Sequence, residues 1–233
     1  MASEKSFLDR YQKGRDLEAA LGTFAVAYDP EEPDYSAANL EVVLEAANDA
    51  NTAHDEASQP WSDAVADRRA LLKQINPLVT QSLAYVKSKT VWASRYEGVK
   101  LAADKVRGVR KPPKETPPDG TTDKKREQGQ RGYMEIGGFL RQYLSRLTKL
   151  TGYAPSNPNI SLASLTALST QFDALNESIP DLEATLSDAV GDRRQAFDKE
   201  SGLHYVFLGV KTSVKAQYGQ GSQEYSQVKG ITW

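Results

Sequence analysis

The residue types that carry out most protein chemistry are scarce in this chain. It has no cysteine and two histidines, His54 and His204. Neither histidine belongs to a Glu-x-x-His pair, the spacing that places two ligands of a di-iron centre on one helix face. A zinc site built from histidine and cysteine needs more such ligands than the chain contains. We therefore expect no metal, no cofactor and no thiol chemistry, and we interpret His204 as a packed histidine.

Two short motifs are similar to ligand sites without completing them. Tyr218-Gly-Gln-Gly-Ser222 precedes a short helical segment but lacks the third glycine, the preceding strand and the lysine of a phosphate loop. Asp49-x-Asn51, followed by Asp55-Glu56, lacks the order and central glycine of a calcium loop. We interpret the first as a turn and the second as an acidic surface, with adventitious divalent binding as the alternative. No catalytic residues are predicted, and the chain is not expected to be an enzyme.

The residues that suggest binding are arginines, aromatic residues and acids. Arg68 and Arg193 occupy equivalent positions of an internal repeat, on or beside the apolar stripe of a helix. An arginine in such a place usually pairs with a carboxylate on another helix, and a contact between repeats or subunits is the alternative. Aromatic residues gather near the repeat ends, where they either cap the core or anchor an interface. The candidate interface residues are Arg68, Arg193, Trp92, Tyr96, Tyr218, Tyr225, Trp233, Glu31, Glu32 and Asp34.

The internal repeat sets the expected architecture. Residues 28–69 match residues 153–194 at a constant shift of 125 positions, with 14 identities among 42 pairs and no gap. The octapeptide Ser62–Arg69, for example, recurs as Ser187–Arg194. Repetition at a fixed offset indicates duplication of a structural unit. The sequence therefore predicts an all-α protein, a tandem duplication of a three-helix unit with a long third helix, arranged as a pseudo-two-fold helical bundle of about six helices.

Apolar periodicity and capping residues predict where these helices begin. The first segment covers about residues 6–26 and, through a thin match of Phe7-Leu8-x-x-Tyr11 to Phe139-Leu140-x-x-Tyr143, residues 131–150. Serines are expected to cap the second segment, and prolines to open the long third segment after a turn near residues 58 and 178. Equivalent places in the third segments predict a bend. The expected capping residues are Ser36 and Ser161, the prolines that open the third segments are Pro60 and Pro180, and the bends are expected at Pro77 and Gly202.

The ends of the repeats match less regularly. At a shift of 122 positions Tyr96 falls on Tyr218, and Ser222 is expected to cap a last short helix, Gln223–Lys229. Residues 1–108 are predicted as helical repeat 1 and residues 131–233 as helical repeat 2. Residues 109–130 are rich in proline and basic residues and almost free of apolar ones, so a flexible linker is expected there. Whether the repeats form one bundle or two stays open.

Charge is sorted along the chain. Residues 28–67 contain eleven acidic residues and residues 153–192 contain six, and neither stretch contains a lysine or arginine. Residues 68–131 carry sixteen basic and six acidic residues. A helix dipole acts over about one turn and cannot sort charge over this length. A solvated surface is one interpretation of this polarity, and docking of a partner is the other.

These patterns favour a non-enzymatic structural or protein-interaction protein that assembles head-to-tail through polar ends, as a homo-oligomer or filament. A membrane-active helical protein of the pore-forming kind is an alternative, which liposome leakage would test. A nucleic-acid-associated protein acting non-specifically through the linker is another, which a salt-dependent shift assay would test. No stretch reaches the ~18 apolar residues that span a bilayer. The absence of cysteine and of a secretory signal favours the cytoplasm, with export of the folded protein as the alternative.

Overall fold

The computed structural model describes residues 4–24, 26–109 and 132–233, and every regular element in these ranges is helical. The all-α prediction is therefore confirmed. Three short 3-10 helices, Pro33–Tyr35, Thr90–Trp92 and Pro158–Ile160, precede α2, α3 and α5. Of the predicted linker only Val109 lies within these ranges, so the expectation of flexibility falls outside the described residues. The α-helices are α1 (Glu4–Leu21), α2 (Ala37–Lys87), α3 (Ala93–Arg107), α4 (Tyr133–Thr148), α5 (Leu162–Asp198), α6 (Leu203–Tyr218) and α7 (Gln223–Lys229).

The chain divides into two compact units whose boundaries fall inside the long helices. Unit 1 comprises Met1–Trp61 and Leu182–Trp233, and unit 2 comprises Ser62–Asp181. The N-terminal part of α2 thus belongs to unit 1 and its C-terminal part to unit 2, whereas α5 begins in unit 2 and ends in unit 1. The octapeptides of the repeat lie in the interiors of α2 and α5. The duplication and its pseudo-two-fold axis stay predictions.

In each repeat the second predicted segment continues into the third without a turn, so the expected turns near residues 58 and 178 are absent from α2 and α5. Helix α2 continues through Pro60 and Pro77, and α5 continues through Pro180. All three prolines face solvent, where water can bind the carbonyl groups that lose their helical donors. No glycine occurs between residues 37 and 87, and buried residues keep a helical spacing on both sides of Pro60. At Gly202 the expected bend is a complete break between α5 and α6.

The predicted capping residues are confirmed. The Ser36 Oγ accepts a hydrogen bond from the Asn39 amide (3.1 Å), and the Ser161 Oγ accepts one from the Ser164 amide (3.2 Å). Ser222 caps α7 in the same way. These bonds satisfy amide groups that a helix start would otherwise leave unpaired.

The core of unit 1 is formed by α1, α6 and the parts of α2 and α5 that belong to this unit. Its largest side chains without solvent exposure include Leu17, Leu44, Phe197 and Phe207. Gly14 of α1 admits Leu44, since a Cβ at residue 14 would lie 2.6 Å from the Leu44 Cδ2. Burial of each such side chain contributes about 1.5–3 kcal/mol, so this apolar layer holds the unit together.

Unit 2 has its own core, in which α3 and α4 pack with the neighbouring parts of α2 and α5. Tyr143 of α4 is fully buried, and its hydroxyl donates a hydrogen bond to the Ser82 Oγ at 2.8 Å. Burial raises the pKa of Tyr143 far above its usual value, so the phenol stays neutral. The Ser82 hydroxyl also meets the Tyr153 hydroxyl at 2.7 Å. A satisfied polar network of this kind fixes the register of the helices that contribute to it.

The thin match between the first segments of the repeats is wrong in register. Leu8 is 67% exposed, whereas Leu140, its predicted counterpart, is buried. The ring of Phe7 instead lies against Arg193, and the ring of Tyr133 lies against Arg68. These contacts pair Phe7 with Tyr133, a shift of 126 positions, close to the shift of 125 in the main repeat. The match rested on three identical residues, which are too few to define the register.

Candidate functional site

A short acidic stretch of unit 1 is the clearest candidate for a binding site. Residues 29–34, here called the acidic segment, have the sequence Asp-Pro-Glu-Glu-Pro-Asp and connect α1 to α2. Its four acidic side chains, including Glu31, Glu32 and Asp34, are exposed. Glu32 has extended backbone angles (φ −96°, ψ 115°), as expected for a residue before proline. The segment therefore presents its charges to solvent in a defined backbone conformation.

Helix α6 holds the start of the acidic segment. The Tyr218 hydroxyl donates a hydrogen bond to the Val26 carbonyl at 2.8 Å. Gln217 binds the backbone twice, because its Nε2 donates to the Ala27 carbonyl (3.1 Å) and its Oε1 accepts from the Asp29 amide (3.1 Å). These bonds tie the backbone before and at the first acid to one helix.

Tyrosine residues hold the end of the acidic segment. The Tyr28 hydroxyl donates to the Tyr35 carbonyl at 2.9 Å, and the Tyr35 hydroxyl donates to the Tyr205 hydroxyl of α6 at 2.9 Å. The Tyr35 ring lies directly on α6, since a Cβ at Gly209 would be 2.1 Å from the Tyr35 Cε1. The segment is therefore fixed at both ends, and a partner would lose little conformational entropy by binding it.

The tyrosines that fix the acidic segment remain protonated at neutral pH. Burial raises the pKa of Tyr28 to about 12. The pKa of Tyr35 is raised first by its hydrogen bond to Tyr205, then by burial and by the negative charges of Glu32 and Asp34. Because each phenol keeps its proton, each keeps the hydrogen bond that it donates.

Unit 2 contains the equivalent stretch of the repeat without its charge. The Tyr153 hydroxyl donates to the Ile160 carbonyl at 2.7 Å, the same bond that Tyr28 makes with Tyr35. At the positions equivalent to Glu31, Glu32 and Asp34, however, unit 2 has Ser156, Asn157 and Asn159. The chain therefore carries a neutral counterpart of the acidic segment in which the same tyrosine-to-carbonyl hydrogen bond is made.

The two candidate arginines contact aromatic rings of their own units. The guanidinium carbon of Arg68 lies 3.8 Å from the Tyr133 ring centroid, and its Nη1 is 3.5 Å from the Asn176 Oδ1. For Arg68 a ring and an amide thus replace the expected carboxylate, and burial lowers its pKa. Arg193 is 8% exposed and lies 4.5 Å from the Phe7 ring centroid. Cation–π contacts of this kind hold α4 in unit 2 and α1 in unit 1.

The candidate aromatic residues also pack within their units. Trp92 is 5% exposed, and its Nε1 donates to the Thr151 carbonyl at 3.2 Å. Trp233 stacks on His204 with 4.9 Å between ring centroids, and Tyr218 meets Phe24 edge to face at 5.3 Å. Tyr96 and Tyr225 are half-buried against the cores of unit 2 and unit 1, respectively. These residues therefore have intramolecular partners, and Trp92 offers almost no surface to another molecule.

Two exposed residues of α6 were not predicted from the sequence, and one of them contacts Tyr35, which follows the acidic segment. Tyr205 is 45% exposed and Leu208 is 49% exposed, and both lie on α6 within one turn of each other. The Tyr205 ring is 5.8 Å from the Tyr35 ring. The helical spacing of the buried residues Leu203, Val206 and Val210 places both residues outside the buried face of α6, and this pattern could have indicated their exposure.

The two units differ strongly in charge. Unit 1 contains 10 lysine and arginine residues against 19 aspartate and glutamate residues, a net charge of −9. Unit 2 contains 19 basic against 12 acidic residues, a net charge of +7. The formal charge of −2 for the whole chain conceals this difference.

Among the described residues, no group of three histidine, aspartate or glutamate side chains is placed to hold a metal ion. None of the described helices combines the length and apolar character needed to cross a membrane. Comparison with protein-family models, curated proteins and solved structures finds no match to this chain.

Proposed function

We propose that this chain is a non-enzymatic protein-interaction protein that self-associates head-to-tail, with the acidic unit of one copy bound to the basic unit of the next. The observation that carries the proposal is the partition of charge into compact units of −9 and +7. Opposite patches of this size attract copies of the chain in a preferred orientation and disfavour pairing of like units. Such a contact is heterologous and produces rings or open filaments.

The acidic segment is the part of unit 1 that we place at this contact. The Asp29 amide at its start donates to Gln217 of α6, and a hydrogen bond between Tyr28 and Tyr35 joins the residues on either side of it. Glu31, Glu32 and Asp34 are exposed and can face a partner. Tyr205, which contacts Tyr35 at the end of the segment, and Leu208 of the same helix are exposed and would add apolar surface to the contact. Charge then sets encounter rate and register, and the apolar neighbours contribute to affinity.

The first test measures assembly against ionic strength. Sedimentation velocity of the full chain should show oligomers that dissociate as ionic strength rises from about 0.01 M to 0.15 M, since the screening length falls from ~30 Å to ~8 Å. Association of apolar surfaces alone would not weaken over this range. A chain that is monomeric at high concentration in low salt would contradict the proposal.

The second test removes three of the four charges of the acidic segment with residues that the chain itself uses. The neutral-segment variant, Glu31→Ser, Glu32→Asn and Asp34→Asn, has the residues of the equivalent stretch in unit 2. It should retain the thermal stability of the wild type and lose most of the salt-sensitive association. The matched control neutralises three exposed or half-buried acids of α1 in the same unit, Asp9→Asn, Asp16→Asn and Glu18→Gln. This control should associate almost as the wild type does.

A transposed variant separates position from net charge. It adds Ser156→Glu, Asn157→Glu and Asn159→Asp to the neutral-segment variant, which restores the net charge of −2 while moving the acids into unit 2. We expect this variant to associate no better than the neutral-segment variant. Recovery of wild-type association would mean that net charge, rather than the acidic segment on unit 1, controls assembly.

A further inference from the structure

Unit 2 contains a cleft lined by positive side chains between α3 and α4. Its volume is about 220 Å³, and its lining residues, here called the basic cleft, are Ser94, Arg95, Gly98, Val99, Arg146 and Lys149. The cleft joins the first turns of α3, whose amides add partial positive charge, to the last turn of α4, whose carbonyls add partial negative charge, so its positive character comes from its side chains. None of the described residues that line the cleft carries a carboxylate.

The cations of the basic cleft are not neutralised within the described ranges. Arg95 donates a hydrogen bond to the Lys149 carbonyl, which fixes one arginine against the end of α4. Neither this arginine nor Arg146 nor Lys149 forms an ion pair with a described carboxylate, although nearby Lys100 has Glu97 at 3.9 Å. An anion that enters the cleft would therefore meet three positive side chains that have no described carboxylate partner.

Gly98 makes room for one of these charges. A Cβ at residue 98 would lie 2.8 Å from the Arg146 Nη1, so the guanidinium occupies the space of a missing side chain on α3. Arg146 therefore lies along the helix surface and reaches the cleft. Guanidinium groups suit carboxylates in particular, because two N–H donors match two carboxylate oxygens.

We propose that the basic cleft binds carboxylate side chains of the acidic segment of a second copy of this chain. This inference rests on the proposed self-association and names the site on unit 2 at which it occurs. The cleft has room for a few water-sized groups and not for a folded surface, which suits the ends of acidic side chains. The acidic segment, with Glu31, Glu32 and Asp34 exposed on a fixed backbone, is the complementary feature of unit 1.

Substitutions in the full-length chain test the cleft. Arg146→Gln and Lys149→Gln should each weaken self-association about tenfold, which corresponds to loss of one charge-assisted contact. Arg69→Gln and Lys73→Gln remove the same charges from exposed positions of α2 in unit 2 and should change it less than about twofold. Gly98→Ala keeps every charge and improves helix propensity, but it displaces the Arg146 guanidinium. It should weaken association while the melting temperature stays level or rises.

Mixing two variants tests whether the cleft and the acidic segment are partners. The neutral-segment variant and the double variant Arg146→Gln, Lys149→Gln should each be monomeric alone. Together they retain one intact cleft and one intact acidic segment, so sedimentation velocity should show a one-to-one pair and nothing larger.

The outcomes separate the two proposals. If the wild type associates but the cleft variants match their controls, or if the mixture stays monomeric, the basic cleft is not the docking site and the proposed function stands. If the wild type does not associate at low salt, the proposed function fails and the docking inference fails with it.

Discussion

Replacement of Gly209 by alanine should destabilise unit 1, although alanine is the better helix former. A Cβ at this position would lie 2.1 Å from the Tyr35 Cε1 and 2.7 Å from its Cζ, so the ring must move away from α6. Loss of the half-buried ring contact costs about 1–2 kcal/mol. Loss of the hydrogen bond between Tyr35 and Tyr205 costs about 0.5–1.5 kcal/mol.

The gain in helix propensity opposes these losses. Alanine in a helix interior is favoured over glycine by about 1 kcal/mol. Gly209→Ala should therefore lower the free energy of unfolding by about 0.5–2.5 kcal/mol. Gly191 of α5, also in unit 1, has nothing within 4 Å of its Cβ position. Gly191→Ala should therefore raise the free energy of unfolding by about 1 kcal/mol, and the same chemical change gives opposite signs at two positions.

Urea and thermal denaturation monitored by circular dichroism would measure both effects. For a chain of this length each kcal/mol moves the melting temperature by about 2–4 °C. A double-mutant cycle isolates the cause, because Gly209→Ala in a Tyr35→Ala background should recover its gain of about 1 kcal/mol. If Gly209→Ala stabilises the wild type, or still destabilises the chain without the Tyr35 ring, the assigned contact is wrong.

Three further predictions concern single side chains. Ser201 has a left-handed backbone (φ 78°), so Ser201→Gly should raise the urea midpoint by an amount equivalent to about 0.5–1 kcal/mol, and Ser201→Ala should not. Tyr28 has a folded pKa of about 12 against 10.0 for a free phenol, so its contribution to stability is complete below pH 10 and is lost as pH rises towards 12. Urea midpoints measured from pH 9 to 11.5 should therefore fall less steeply for Tyr28→Phe than for the wild type. Trp92→Phe removes the bond to the Thr151 carbonyl and should cost about 1 kcal/mol or more at this buried site, whereas Tyr218→Phe should cost less because water can reach the Val26 carbonyl.

The features that local sequence determines were predictable. Three serines cap helices because each offers a hydroxyl just before a helical pattern: Ser36, Ser161 and Ser222. The acid-rich and base-rich stretches follow directly from the composition of the sequence. The acidic candidates Glu31, Glu32 and Asp34 are exposed, as charged side chains without a paired partner usually are. Such signals do not depend on which helices later pack together.

The features that depend on tertiary contacts were not predictable. From the sequence, Pro60 and Pro180 resemble residues that begin a helix. In the structure α2 and α5 continue through them because the prolines are exposed while the opposite side of each helix is buried. The basic cleft joins residues of α3 and α4 that are about fifty positions apart and belong to no motif. For Trp92 the sequence left core capping and interface anchoring as alternatives, and only the packing of unit 2, which buries it, decides for the core.

The division of the long helices has a consequence for synthesis on the ribosome. Unit 2 is a continuous stretch of chain, whereas unit 1 combines residues 1–61 with residues 182–233 and can form only after both parts have been synthesised. The ion pair of Arg10 with Asp198, at 2.7 Å, joins residues 188 positions apart. Because domains fold as their residues emerge, the basic unit can fold while α1 still lacks α6 and α7. Until those helices are made, the apolar side of α1, which the finished unit buries, stays exposed on the nascent chain.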